Sequence, residues 1–190
     1  MDRLPPLQLG SRALRWHRNR SVRRARGSLM NNDTIRNATP LDVAPMIGLM
    51  RELAEYEKLT HLFVATEDSL HEALFSARPA AEALVAERDG RVVGYALYFH
   101  NFSTFLSRRG LYLEDLYVQP TLRGSGLGTA LLRRVAAIAV ERQCGRFEWS
   151  VLDWNQSAID FYTKMGATVL PDWRIVRVTD DALTQLANAA

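Results

Sequence analysis

The stretch "LEDLYVQPTLRGSGLGTALLRRV", residues 113–135, constrains this chain more than any other. An apolar run carrying two acids ends at Pro120. Arg123 follows, then Gly124, Gly126 and Gly128 on alternate positions, and a helical spacing of apolar residues begins directly. A strand must here pass through a tight turn into a helix. Such a junction sets the free N–H groups and partial positive charge of a helix N-terminus beside backbone without side chains. Two readings stand: a tight turn alone, or a seat for an anion such as pyrophosphate, with Arg123 as a charged donor. A nucleotide-hydrolase loop would end in Gly-Lys-Ser/Thr, whereas this one gives Gly128-Thr129-Ala130. A dinucleotide fingerprint needs Gly-x-Gly-x-x-Gly after the first strand, and the spacing here is Gly-x-Gly-x-Gly.

The flanking sequence alternates strand and helix signals. "TIRNAT" reads as a short strand, and Thr39 with Asp42 around Pro40 opens a helix through "LDVAPMIGLMRELAEYEKL". Its apolar face includes Met46, Leu49, Met50 and Leu53, and Pro45 falls in the first two turns. A second helix follows Thr66. "AEALVAERDGRVVGYALYFHNF" reads as two strands joined at Asp89-Gly90, a hairpin signal. "LYLEDLYV" is the next strand, and the helix after the glycine loop ends near Cys144-Gly145. "RFEWSVL" is a strand, "NQSAIDFYTKM" a helix closed by Gly166, "WRIVRV" a last strand, and "TDDALTQLANAA" adds a short helix. The expectation is one α/β domain over 31–190 with a mixed sheet, preceded by a separate segment over 1–30.

Charge divides at the same place. The net charge is +3, but residues 1–30 hold eight arginines and one acid, +7, which leaves −4 for the remainder. An acidic body attracts cationic partners through its field. The basic segment has no continuous apolar run and is not a secretory signal. It reads as a disordered tail, an extension upstream of a start at Met30, a transit peptide or a nucleic-acid-binding arm. No apolar run approaches 20 residues, so no membrane span is expected. The four histidines lack metal-ligand spacing and no metal is expected. The lone Cys144 reads as small packing beside a helix end, and one cysteine suits a reducing, cytoplasmic setting.

Arg-x-x-Gly-x-Gly on Arg123, Gly126 and Gly128, after a strand ending "YVQP", resembles the coenzyme A loop of the GNAT N-acetyltransferase superfamily. "IRNATPLDV", "LMRELAEYEKL", "LYLEDLYVQPTLRGSGLG" and "VLDWNQSAIDFYTKMGA" resemble its diamine and polyamine branch, the spermidine/spermine and thialysine acetyltransferases. The resemblance covers about 35–178. It implies the GNAT fold, a central mixed, mostly antiparallel sheet flanked by helices, with acetyl-CoA as donor, a small cationic amine as acceptor and a homodimer. It also implies that Arg123, Gly124, Ser125, Gly126, Leu127, Gly128 and Thr129 hold the pyrophosphate. The backbone of Leu116, Tyr117 and Val118 would then align the acetyl and pantetheine groups along a splayed strand.

Acetyl transfer from a thioester to an amine needs a neutral amine, a held carbonyl and a protonated leaving thiolate. An alkyl ammonium titrates near 10, so a base is required. Glu114 and Asp115 lie mid-strand in an apolar run, where an unpaired carboxylate is costly. As strand neighbours they are expected on opposite faces. They read as structural acids or as site acids; the resemblance implies Glu114 as a base acting through water and Asp115 in the amine channel. Tyr162, three residues after Ile159, reads as core by spacing, and the match at "IDFY" implies that it protonates the coenzyme A thiolate. Asn155 reads as a helix N-cap, and the resemblance adds contact with the coenzyme A arm. Tyr56 and Glu57 read as part of a solvated face with Glu52 and Glu55, or as the pair that relatives place near the distal amine. Ala158 stands where the polyamine enzymes carry serine, so that contact is not carried over. Other classes remain open: an acetyltransferase for protein N-termini or antibiotic amines, a coenzyme A sensor, or a nucleic-acid binder using the basic segment. Nucleic acid is not the expected partner.

Overall fold

The computed structural model describes residues 32–189, so the Arg-rich segment 1–30 and the expectations for it lie outside the described residues. In chain order the elements are β1 (Asp33–Asn37), α1 (Val43–Tyr56), α2 (Glu67–Phe75), β2 (Glu82–Arg88), β3 (Arg91–Ser103) and β4 (Arg108–Val118). They continue with α3 (Leu127–Glu141), β5 (Phe147–Trp149), α4 (Gln156–Lys164) and α5 (Asp180–Asn188). The five strands form one sheet in sequence order, antiparallel except for the parallel pair β4–β5. This is the mixed, mostly antiparallel sheet flanked by helices that the sequence led us to expect.

Alternation along the strands divides the apolar residues between two layers. On β2, Leu84 and Ala86 pack with Leu111 and Leu113 against Leu131, Val135 and Ile138 of α3. Ala83 and Val85 pack with Tyr95 and Tyr117 against Met46, Leu49, Leu70 and Leu74 of α1 and α2. At the β2–β3 turn Asp89 and Gly90 have φ of 50° and 77°, between paired Arg88 and Arg91. Positive φ at both central residues is what a two-residue hairpin turn requires.

The entry to α1 is fixed by Asp42, whose carboxylate accepts from the backbone N–H of Thr39 at 2.7 Å and from its hydroxyl at 2.8 Å. A short 3-10 turn over Pro40–Asp42 comes first, so the α-helix opens at Val43 with Pro45 in its first turn. Asp42 is 4% exposed and takes two further bonds from the Arg36 guanidinium, at 2.7 and 2.8 Å, tying β1 to the helix. Arg36 holds this carboxyl down at about 2. We expect Asp42→Ala to lose about 3 kcal/mol of unfolding free energy in urea, because the guanidinium and cap donors lose their acceptor. In the wild type this contribution is complete above the unfolded carboxyl value of about 3.9 and is lost as the pH falls toward 2. The variant should lack that acid-sensitive part of the stability curve.

Two features of β4 shape the site. Leu97 pairs with Asp115 and Tyr98 with Leu113, so Glu114 is an extra residue in a β-bulge. This corrects the expectation that Glu114 and Asp115 lie on opposite faces by simple alternation, because the bulge interrupts the two-residue period there. In addition, β5 pairs with β4 only at Leu111–Leu113. Beyond that point the strands part and β4 continues alone on this side.

The expected strand "WRIVRV" is not formed: residues 173–178 join no ladder and are exposed, with Trp173 at 78% and Val176 at 88%. "RFEWSVL" yields only three strand residues, Phe147–Trp149. A strand needs a partner edge, and β5 is too short to supply one. Among the described residues no helix is long and apolar enough to cross a membrane, and no group of three or more His, Cys, Asp or Glu is placed to hold a metal.

Candidate active site

The open edge of β4 is the first part of the site. Gln119 donates its backbone N–H to Val93 on β3 at 3.0 Å. Backbone groups alternate between edges along a strand, so Leu116 and Val118 direct their N–H groups to the other edge, where β5 has already ended. Unpaired strand N–H groups can polarise a carbonyl laid along them. Leu116, Tyr117 and Val118 thus lie on the splayed strand that the resemblance implied.

The glycine loop lies directly beyond. Gly124 and Gly126 have φ of 80° and 96°, and Gly126 caps α3 without any side chain to satisfy the first-turn N–H groups of Leu127, Gly128 and Thr129. No atom lies within 4 Å of where a Cβ would stand on Gly124 or Gly126, so this backbone faces open space. Ser125 Oγ is buried and has no hydrogen-bond partner among the described residues. Free N–H groups, a helix N-terminus and an unpartnered hydroxyl together fit a phosphate. The Arg123 guanidinium packs on two tyrosine rings, its Cζ 4.6 Å from the centre of the Tyr56 ring and 5.9 Å from that of Tyr117.

Tyr56 joins two of the other expected residues, Asn155 and Arg123. Its hydroxyl donates to Asn155 Oδ1 at 3.3 Å, its ring carries Arg123, and Trp154 lies 5.9 Å away. The structure therefore brings Tyr56 to the loop and to α4. Asn155 caps α4, its Oδ1 accepting from Ala158 N–H at 3.2 Å, which realises its N-cap reading.

The acids gather around Tyr162. On α4 its ring packs on Phe161 and on Trp149 at the end of β5, with centroids 5.3 and 5.0 Å apart. Burial, then the charges of Glu57 and Asp115, push its phenol up to about 12. Asp115 is pushed up to about 6, chiefly by burial, with Glu114 and Glu57 adding like charge and a hydrogen bond from Tyr95 opposing them. Burial also raises Glu57, the residue that caps the end of α1. Glu114 stays exposed on the bulge. The arrangement can neutralise an incoming cation and supply a protonated phenol beside an open strand edge.

Two residues escaped the sequence reading. Tyr95 Oη donates to Asp115 Oδ2 at 3.0 Å. Glu52, read as part of a solvated face, accepts from the Tyr117 hydroxyl at 3.0 Å and Gln119 Nε2 at 3.1 Å. The available signal was a tyrosine at a core-facing strand position, since a buried phenol must place its proton.

Known proteins resemble this chain in sequence and in fold. Residues 49–167 match the Acetyltransferase (GNAT) family. L-ornithine N5-acetyltransferase of Arabidopsis thaliana is 36% identical, the match covering 78% of this chain and 85% of the plant protein. Thialysine N-epsilon-acetyltransferase of Mus musculus is 37% identical over 84% of this chain and 99% of its own. An integron cassette protein from the mobile metagenome of V. cholerae superposes with a TM-score of 0.70 at 26% identity, over 83% of this chain and 98% of that one. The chain belongs to the GNAT acetyltransferase family and is an acetyl-CoA-dependent N-acetyltransferase.

Proposed function

We propose that the enzyme acetylates a primary amine of a small diamine, a polyamine or a lysine- or ornithine-like amino acid. The observation that carries this reading is the acid cluster around Tyr162: Glu57 and Asp115 both act on its phenol, beside the unpaired edge of β4. A dicationic amine suits such a site, and the named substrates of the plant and mouse relatives, ornithine and thialysine, are of this kind.

In this reading the loop Arg123–Thr129 seats the pyrophosphate, and the strand edge at Leu116–Val118 aligns the thioester. Glu114 takes a proton from the ammonium through water, and the neutral nitrogen attacks the thioester carbon directly. As the tetrahedral intermediate collapses, the C–S bond breaks, Tyr162 gives its proton to the departing sulfur, and the extra proton on the new amide nitrogen passes through water to restore the phenol. No acyl-enzyme forms, since among the described residues no activated nucleophile adjoins the edge. Tyr162, raised to about 12, is protonated throughout the neutral range. Glu57 and Asp115 hold the distal ammonium, and Tyr56 braces the loop against α4. The enzyme works as a homodimer, a reading supported by the exposed apolar side chains of Val169, Leu170, Trp173, Ile175 and Val176, and a cytoplasmic setting suits its lone Cys144.

The test is free-thiol release from acetyl-CoA by the full chain with thialysine, ornithine, lysine, putrescine, spermidine and a peptide bearing a free N-terminus. Turnover is expected with the small amines and not with the peptide. Turnover with the peptide alone would overturn the substrate assignment. Binding of acetyl-CoA without any turnover would overturn the reading as an amine acetyltransferase.

A further inference from the structure

Tyr95 is fully buried on β3, on the face packed against α1 and α2, and pairs across the ladder with Tyr117. Its ring would be replaced without loss of volume by phenylalanine. The hydroxyl is therefore not a packing requirement, and burying it is costly unless it is bonded. Its one hydrogen bond among the described residues goes to Asp115 Oδ2, at 3.0 Å. Asp115 has no ion-pair partner among them, and its Oδ1 carries no hydrogen bond. One carboxylate oxygen is thus fixed and the other is left for a cation.

We propose that Tyr95 is a positioning residue for acetyl transfer, its phenol holding the Asp115 carboxylate oriented and ionised for the incoming amine. This rests on the placement of Asp115 in the amine site. Every other titratable group acting on Asp115 favours its neutral form or is neutral itself. Glu114 beside it on β4 and Glu57 at the end of α1 are acids, and Tyr162 on α4 is a protonated phenol. Among the described residues the Tyr95 proton is the one side-chain donor that favours the charge, so substrate capture toward the acid side of neutral depends on it.

The experiment compares the full-length protein with Tyr95→Phe, Asp115→Asn and the double variant, using whichever amine the wild type turns over. The pH profile of kcat/KM reports groups of the free enzyme. In Tyr95→Phe the acidic limb should move up by roughly one pH unit, the equivalent of a lost hydrogen bond to a charged group. The amine KM should rise about threefold near pH 6.5 and approach tenfold near pH 5, with kcat and melting temperature close to wild type. Asp115→Asn should abolish that limb, and adding Tyr95→Phe should then change nothing further. A Tyr95→Phe protein with an unmoved limb, or one weakened equally at every pH, would overturn the proposal. Carboxyl-carbon NMR of Asp115 separates this from the substrate reading. Its midpoint should rise in Tyr95→Phe even if no small amine is turned over, and an unchanged midpoint sinks the claim for Tyr95 alone.

Discussion

Tyr162→Phe is expected to lower kcat by about 10²- to 10³-fold, the range for loss of a positioned general acid. The phenylalanine ring keeps the packing on Phe161 and Trp149, so melting temperature and the KM for acetyl-CoA should stay near wild type. What is lost is the proton that the departing sulfur takes. Leaving thiols of lower pKa need that proton less, so synthetic acetyl thioesters with such leaving groups should recover part of the deficit. A phenylalanine variant with undiminished kcat would show that Tyr162 is core and that the acid lies elsewhere.

Gly126→Val should weaken coenzyme A binding by roughly 30-fold in calorimetric titration, from about 2 kcal/mol of backbone strain. The backbone there has φ of 96°, a region that a β-branched residue strongly avoids. Nothing lies within 4 Å of the added Cβ position, so the fault is not a clash. The turn must adopt another conformation, which turns the N–H groups of Leu127 and Gly128 away from a common centre. An unchanged dissociation constant would remove this loop from coenzyme binding. The kcat at saturating donor should fall far less than the affinity, in contrast to the Tyr162 variant.

The parts of the molecule that were legible in sequence are those fixed by local chemistry. Thr39, Pro40 and Asp42 announce the entry to α1 because a cap is made within four residues. Asp89-Gly90 announces its hairpin because few residues accept positive φ. The glycine loop reads as an anion seat for the same reason. The bulge at Glu114 left no mark, since an extra residue in a strand has no distinguishing side chain. The Tyr95–Asp115 bond and the stacking of Arg123 on Tyr56 join residues 20 and 67 positions apart, by register and helix packing that the residues themselves do not encode. "WRIVRV" has the composition of a strand, but composition cannot supply a neighbouring edge.

The bulge also acts as a phase change along one strand. Before it, Leu111 and Leu113 are committed to the α3 layer; after it, Asp115 and Tyr117 are committed to the α1 side. Deleting Glu114 would leave Leu113 opposite Tyr98 and Asp115 opposite Leu97 as neighbours on a regular strand, with every later side chain still on its present face. Deleting Leu116 instead would keep the bulge and set Tyr117 opposite Ala96, facing the α3 layer, or make the pairing with β3 slip by one. The segment after the bulge is therefore under tighter constraint of length than the bulge itself. Deletion of Leu116 should lower the melting temperature far more than deletion of Glu114.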